Sequence, residues 1–413
     1  MSLARRTGGI AVAAWLLAGA PVAAAPVAAA PGAPRVLRVG PGDRFARPCQ
    51  AIAAAHAGET ILIDARGSRS YRGDVCAWST NRLTIIGVHG RAHIDADGAS
   101  SEGKAIWVIA GNDTTIENVE FSGARVADAN GAGIRQEGAG LTIEHCSFRE
   151  NQEGILAADN PTSAIVIDSS VFADNGAGDG YSHNIYINHV RSFTLRYSYS
   201  TDARVGHLVK SRARRNYILY DRLTGETGTD SYELDLPNGG LSYVIGTVIE
   251  QGAATENPNM LAYGEEGSLN PDSHLYAVND TFVNDLHRGS AMLIGAAVTA
   301  SVLAENDIST GSPSFVSRPG ATMRHDCLTG DPRFVARNRY DYRLRASSPC
   351  LRAGRRPGAA QGYSLVPRFQ YLYPAGHVRR TDGGSTAGAF GRSGWRPASY
   401  PDKVKGISCL LGR

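Results

Sequence analysis

Two short segments hold most of the side chains able to perform acid–base chemistry. The first, GHLVKSRARR at 206–215, places His207, Lys210 and Arg212 within six residues. The second, YELDLPN at 232–238, contains Glu233 and Asp235. Cations and carboxylates therefore lie side by side if the fold brings these segments together. On a uronic acid, such groups neutralise the sugar carboxylate, remove the C5 proton and protonate the leaving oxygen.

These residues support more than one reaction. We expect Lys210, His207 and Arg212 to supply the cation, the base and the acid of an elimination. Glu233 and Asp235, two residues apart on one strand, instead suit Ca²⁺ bridging the sugar carboxylate. A carboxyl pair about 5 to 9.5 Å apart also suits a glycosidase. The identity of any metal stays open.

The elements that position these residues recur with a regular period. One type of strand places an apolar residue 24 to 33 positions after the last, at Ile116, Ile143, Ile167, Leu195, Leu219, Val244 and Ala277. A second type falls once in each interval, with apolar positions Ile134, Ile155, Ile185, Leu208, Leu234, Leu261 and Leu293. Two strand columns that share one period predict an all-β solenoid of stacked coils.

Other repeat folds fit this period poorly. A propeller blade needs about 40 to 45 residues and four antiparallel strands. A leucine-rich repeat has a suitable length, but its fixed leucine and asparagine pattern is missing. A parallel β-helix is therefore the predicted fold.

The chain resembles the bacterial right-handed parallel β-helix repeat proteins of the pectate-lyase-like superfamily over residues 36 to 350. PCQAI at 48–52 resembles the N-terminal cap of that group, and DPRF at 331–334 with SPC at 348–350 resembles its last coil. Residues 351–413, rich in Gly, Pro and Arg, are expected to form an irregular tail along the outside of the solenoid. No full catalytic motif of a characterised subfamily matches, so the resemblance implies the fold more strongly than the reaction.

Strand alternation predicts which side chains face outward. If Ile185, Leu208 and Leu234 point into the core, the outward columns are Asn184, His207 and Glu233 in one and Tyr186, Val209 and Asp235 in the other. Lys210 shares the parity of Leu208, so it reaches the surface only if the strand ends near Val209. Polar groups expected to bind substrate along coils 131–267 are Arg135, Asn184, Tyr186, Glu265 and Glu266.

Structural roles compete with these functional ones. His207 and Glu233 also fit a cross-coil pair with no part in chemistry. Arg214 and Arg215 fit a solvated turn equally well.

The remaining features concern the cellular location. Residues 1–30, with Arg5 and Arg6 before an apolar run, are typical of a signal peptide, which predicts an exported periplasmic or extracellular protein. Without these two arginines the formal charge falls from +3 to +1, so nucleic acid is not an expected partner. No later segment is apolar enough to span a membrane. We expect a monomer.

Six cysteines fit an oxidising compartment. Cys49 with Cys76 and Cys327 with Cys350 would each fasten one end of the solenoid, although the sequence does not fix connectivity. Cys146, within the strand LTIEHCSF, is expected to be a buried thiol.

Three functions fit these observations. The leading expectation is a polysaccharide lyase that cleaves a uronate-containing glycan by β-elimination. The alternatives are a glycoside hydrolase with a carboxyl pair drawn from Glu233, Asp235, Glu265 and Glu266, and a non-catalytic glycan-binding protein.

Overall fold

A computed structural model describes residues 35–67, 70–267 and 269–392. The predicted signal peptide, Cys409 and the end of the predicted tail lie outside these described residues. None of the described helices is long and apolar enough to cross a membrane.

The described chain winds into a parallel β-helix with three sheets, to which successive coils contribute one strand each. Sheet 1 contains Val36–Val39, Thr60–Asp64, Thr84–Val88, Thr114–Glu117, Leu141–Glu144, Asn160–Asp168, Val190–Arg196, Arg215–Leu219, Leu241–Ile245, Leu275–Val278, Val302–Glu305 and Thr322–Arg324. Sheet 2 contains Ser70–Arg72, Ala92–Asp95, Val119–Ser122, Ser147–Arg149, Val171–Ala173, Tyr199–Thr201, Arg222–Thr224, Val248–Gln251, Thr281–Asn284, Ile308–Thr310 and Cys327–Leu328. Sheet 3 contains Cys76–Trp78, Ala105–Ile109, Ala132–Gln136, Glu153–Ala157, Ile185–Ile187, Lys210–Ser211, Leu234–Leu236, Leu261–Tyr263, Ser290–Ile294 and Ser314–Val316. The predicted all-β solenoid is confirmed.

Both ends of the solenoid are covered. The helix Pro48–Ala54 packs on the first coil and is joined to sheet 3 by the Cys49–Cys76 disulfide. At the other end lie the antiparallel hairpin Phe334–Ala336 and Asp341–Leu344, the 3₁₀ helices Arg337–Arg339 and Pro349–Arg352, and the Cys327–Cys350 disulfide. Both expected disulfides and the buried Cys146 thiol are confirmed.

Stacked apolar side chains fill the solenoid. In sheet 1 the register joins Ile116, Ile143, Ile167, Leu195, Ile218, Val244 and Ala277. The prediction of Leu219 was wrong by one position, because Ile218 is the buried member of that apolar pair. In sheet 3 the register joins Ile134, Ile155 and Ile185 on one side and Leu234, Leu261 and Met292 on the other, with Val209 in line between them. The predicted positions of Leu208 and Leu293 in this column were therefore also wrong by one, although Leu208 is buried as expected.

The C-terminal segment, which we define as residues 351–392, packs on sheets 1 and 2. Its short hairpins are Ala359–Ala360 with Tyr363–Ser364 and Phe369–Tyr371 with His377–Arg379. Phe369 lies edge-on to the stacked rings of Tyr197 and Tyr220, each of which directly follows a strand of sheet 1. Asn279 donates hydrogen bonds to the carbonyl oxygens of Gly384 and Thr386. The segment therefore covers coils that lie far before it in the sequence.

Candidate functional site

The outer face of sheet 3 carries a column of one side chain per coil. The register places Leu156, Tyr186, Lys210, Asp235 and Ala262 in line. The predicted column of Tyr186, Val209 and Asp235 was therefore wrong at its middle member. Both Leu208 and Val209 are fully buried, since the chain turns a corner there, and this shifts Lys210 to the outer face.

Lys210 lies between two carboxylates. Its Nζ is 3.2 Å from Asp235 Oδ2 and 3.4 Å from Glu266 Oε1. It also lies 5.8 Å from the centre of the Tyr186 ring. Because only 13% of the Lys210 side chain is exposed, these contacts replace most of its hydration.

Arg212, two residues further on, holds the same glutamate. Its Nη2 donates to Glu266 Oε1 at 2.9 Å while its Nη1 donates to Glu266 Oε2. Nη1 also donates to Asn238 Oδ1 at 2.6 Å, and Nε donates to the Tyr186 hydroxyl at 3.2 Å. The bonds from Arg212 lower the pKa of Glu266. This is the two-pronged geometry with which a guanidinium recognises a carboxylate.

We call Tyr186, His207, Lys210, Arg212, Asp235 and Glu266 the sheet 3 cluster. Asp235 connects its members, since Oδ2 also lies 3.4 Å from His207 Nε2. Burial raises the pKa of Asp235 to about 6, and Lys210 opposes this shift. Asp235 thus changes charge close to neutral pH.

A second column runs beside the cluster and fixes the state of His207. The backbone N–H of His183 donates to Glu153 Oε2 at 2.9 Å. The backbone N–H of His207 donates to Nδ1 of the His183 ring at 3.0 Å. The Tyr232 N–H lies 3.3 Å from His207 Nδ1. Both imidazoles accept through Nδ1, so each carries its proton on Nε2.

Burial reinforces this neutral state. It lowers the pKa of His207 to about 3 and the pKa of His183 well below its usual value. His207 therefore presents an N–H to Asp235 and has no free lone pair with which to accept a proton. The prediction that His207 can act as the base is inconsistent with this geometry.

Two predicted site residues lie inside the solenoid. Asn184 is fully buried and donates to Ser200 Oγ at 3.0 Å and to the Thr201 carbonyl at 2.8 Å. Glu233 is also fully buried, so the predicted outward orientation of both residues was wrong. At the corner of the coil, where Leu208 and Val209 are both in the core, the side chains of Asn184 and Glu233 also point inward.

Glu233 faces another carboxyl group, that of Asp230. Burial, followed by Asp230, raises the pKa of Glu233 well above its usual value, and burial raises that of Asp230 to about 7. Among the described residues, no side-chain donor other than the partner carboxyl reaches either group. Asp230 packs against Gly225, where a Cβ would lie 2.5 Å from Oδ1. The pair belongs to the core and is separate from the cluster.

The other predicted substrate-binding residues flank the cluster. Arg135 lies in its column, three coils before Lys210, with Nε 3.7 Å from Glu137 Oε1. Glu265 accepts a hydrogen bond from the Tyr232 hydroxyl at 2.8 Å. Of the ten predicted residues, the structure brings together Tyr186, His207, Lys210, Arg212, Asp235 and Glu266.

Comparison with known proteins agrees with this architecture. A family model described as right-handed beta helix region matches residues 71–221. The structure of pectate lyase Pel9A aligns with a TM-score of 0.62 at 13% sequence identity, covering 87% of this chain and 97% of that chain. The chain is a right-handed β-helix protein with a pectate-lyase-like fold. No curated protein matches its sequence.

The described part of the chain offers no set of ligands for the Ca²⁺ that the sequence suggested. Within residues 35–67, 70–267 and 269–392, no three His, Cys, Asp or Glu side chains are grouped to hold an ion. Glu233 points into the core while Asp235 joins the cluster, so the predicted paired ligands for Ca²⁺ do not converge.

Sequence reasoning missed several neighbours of the cluster. Asn238 and Tyr232 were assigned no role, although they contact Arg212 and His207. His183 and Glu153 were assigned no functional role either, although they form the column beside His207. The signal for His183 was its equivalence to His207 one coil later, which becomes visible only with the correct register.

Proposed function

We propose that this protein is a polysaccharide lyase that cleaves a uronate-containing glycan by β-elimination on the outer face of sheet 3. One observation carries the proposal: Arg212 and Lys210 already hold a carboxylate, that of Glu266, beside the ring of Tyr186. A sugar carboxylate has the same charge and geometry. It would occupy this position when Glu266, whose side chain is 45% exposed, moves aside.

Arg212 and Lys210 act as the neutralising cations. Pairing the uronate carboxylate with two cations acidifies the adjacent C5–H, because the negative charge that develops there is stabilised. Lys210 is assigned to charge neutralisation because its Nζ already contacts the carboxylates of Asp235 and Glu266.

Asp235 is the proposed base. A general base is most effective when its pKa is near the working pH, and burial brings that of Asp235 to about 6. The Nε2–H of His207 and Nζ of Lys210 hold its carboxylate in place.

Tyr186 is the proposed acid. As Asp235 takes the C5 proton, the C4–C5 double bond forms and the C4–O bond breaks. The Tyr186 hydroxyl, which accepts from Arg212 Nε, donates its proton to the departing oxygen. Solvent then restores the proton to Tyr186 and removes the one held by Asp235.

Arg135 extends the site along the solenoid. Three coils at the spacing of parallel strands place it about 14 Å from Lys210. A cation at this distance suits a distant carboxylate of the same chain, which favours a polymer over a single sugar. The disulfides fit a protein exported to the periplasm or beyond.

A hydrolase is the second candidate, favoured by the carboxyls of Asp235 and Glu266. Their oxygens contact the same Lys210 nitrogen, so they lie within about 7 Å, a separation that glycosidases use. Burial raises the pKa of Asp235 while Arg212 lowers that of Glu266, which is the divergence expected of an acid and a nucleophile.

Incubation with uronate polymers distinguishes the functions. Ultraviolet absorbance from the new double bond supports the lyase, new reducing ends without absorbance identify a hydrolase, and binding without either identifies a glycan-binding protein. Lys210→Ala and Arg212→Gln are expected to lower turnover by about 10² to 10⁴-fold with little change in melting temperature. Arg214→Gln, at an exposed neighbouring position, is the matched control. Full activity in both cluster variants would rule out this site.

A further inference from the structure

A cavity of about 920 Å³ lies on the C-terminal segment, away from the residues of the sheet 3 cluster. Its lining includes Arg356, Arg368, Arg379 and Arg380, which come from three parts of the segment. Its volume is within the range of about 300 to 1,000 Å³ that is typical of ligand sites.

The carboxylate in this lining, Asp382, is already paired. Arg380 is buried, and its Nε donates to Asp382 Oδ1 at 2.7 Å. The same guanidinium donates to the carbonyl oxygens of Gly388 at 2.8 Å and Thr386 at 2.7 Å. Arg380, Thr386 and the backbone N–H of Gly384 together hold the pKa of Asp382 at about 2 despite its burial. Arg380 and Asp382 therefore form a neutral, fixed wall.

The other three arginines remain uncompensated. Within the part of the chain that the structure describes, the guanidinium groups of Arg356, Arg368 and Arg379 have no hydrogen-bond or ion-pair partner. The formal charge of the whole chain is only +3, so three cations on one cavity represent a strong local concentration. A concave surface with charge of one sign focuses the field on ligands of the opposite sign.

We propose that this cavity is a second, non-catalytic anion-binding site that holds a segment of an acidic glycan. Guanidinium groups from three separate positions suit several carboxylate or sulfate groups along one chain, and the cavity exceeds the size of a single inorganic anion. The half-buried side chains of Val366 and Phe369 add apolar surface for sugar faces. The choice of a glycan rests on the proposed function, whereas the anion site does not.

The test compares two triple variants of equal charge. Arg356→Gln/Arg368→Gln/Arg379→Gln removes the cavity cations, and Arg38→Gln/Arg44→Gln/Arg82→Gln removes three exposed arginines near the other end of the chain. Binding of fluorescent polygalacturonate and of fluorescent heparin is measured by anisotropy. The cavity variant is expected to lose about tenfold in affinity for at least one probe, and the control less than about twofold.

The outcomes separate this proposal from the proposed function. Equal losses in both variants, or no loss in either, would overturn the cavity site. Heparin binding that depends on the cavity supports the anion site even if no polymer is cleaved, but overturns recognition by carboxylates alone if polygalacturonate does not bind there. Cleavage of short uronate oligomers is expected to be unchanged in the cavity variant. Its loss would show that the cavity is not separate from the cluster.

Discussion

The rings of His183 and His207 are stacked, with centroids 4.5 Å apart and planes 10° apart, and the backbone N–H of His207 donates to Nδ1 of His183. The backbone of His207 thus sets the tautomer of the His183 ring in the preceding coil. The arrangement repeats at Tyr232, whose N–H lies against Nδ1 of His207. His207 thereby keeps its proton on Nε2, which lies 3.4 Å from Asp235 Oδ2.

Neither ring is expected to titrate between pH 5 and 8. Burial lowers both pKa values, so below about pH 6.5 the unfolded chain binds protons that the folded chain cannot. The contribution of each neutral histidine to the free energy of unfolding is complete above about pH 6.5. It falls by about 1.4 kcal/mol for each pH unit below that value. Nitrogen NMR of the rings is expected to show the Nε2–H tautomer throughout.

Urea denaturation provides the matching energetic test. Between pH 6.5 and 5.5, His207→Gln is expected to lose about 1 kcal/mol less unfolding free energy than the wild type. A ring signal from either histidine with a midpoint near about 6.5 would contradict the stacked, neutral arrangement.

Glu233→Gln is expected to stabilise the protein at neutral and alkaline pH. Burial raises the pKa of Glu233, so its stabilising contribution is complete below the unfolded value of about 4 and is lost as pH rises through the folded value. An amide removes the cost of keeping this group protonated. We expect a gain of about 2 kcal/mol in unfolding free energy at pH 8 that disappears near pH 4.

Glu256→Gln is the control for this measurement, because Glu256 is exposed. Its effect is expected to stay within about 0.5 kcal/mol and to be independent of pH. Destabilisation of Glu233→Gln at pH 8 would show that the ionised form of Glu233 has a partner.

Glu266→Gln is expected to lower KM for a uronate polymer by about fivefold, because the carboxylate held by Arg212 and Lys210 no longer competes with the sugar. Glu265→Gln is the matched control, since Glu265 bonds to the Tyr232 hydroxyl. Steady-state kinetics measures KM and kcat of both variants, and KM is expected to fall in Glu266→Gln alone. A collapse of kcat in Glu266→Gln would instead favour hydrolysis.

Asp235 is expected to set the acidic limb of the pH–rate profile. As pH falls through about 6 the carboxylate is protonated and kcat/KM declines. Asp235→Asn is expected to lower kcat by about 10² to 10⁴-fold. An unchanged acidic limb in Asp235→Asn would assign the base to another residue, and circular dichroism would check that the variant is folded.

The N-terminal disulfide is expected to stabilise the cap. Cys49 and Cys76 are 27 residues apart, and Cys49→Ser/Cys76→Ser is expected to lower the unfolding free energy by about 3 kcal/mol. Cys327→Ser/Cys350→Ser, with a separation of 23 residues, is expected to lose a similar amount. Denaturant titration of both pairs provides the check, and an unchanged midpoint would contradict the prediction.

The repeat made the fold predictable, because apolar positions recur once per coil and must stack. Ile116, Ile143 and Ile167 illustrate this, since each is the central apolar residue of a short strand. The prediction of the inward-facing residue was wrong at Leu219. Ile218 and Leu219 are adjacent and both apolar, so the pattern does not indicate which one points inward.

The same ambiguity limited the site. Leu208 and Val209 are both apolar and both buried, so alternation alone put Lys210 on the wrong face. The proximity of Lys210 and Asp235 could be predicted from the sequence, because the two segments that contain them lie one period apart. The inward orientation of Glu233 could not be predicted, because it depends on a corner of the coil that does not alter the spacing of apolar residues.

The C-terminal segment has a further consequence for how the molecule is made. Its docking surface includes Tyr197, Tyr220 and Asn279, which belong to different coils and come into line only after those coils have stacked. The segment can therefore attach at these residues only after the coils that carry them have stacked. Protection of residues 351–392 from a protease would then indicate that this stacking is complete.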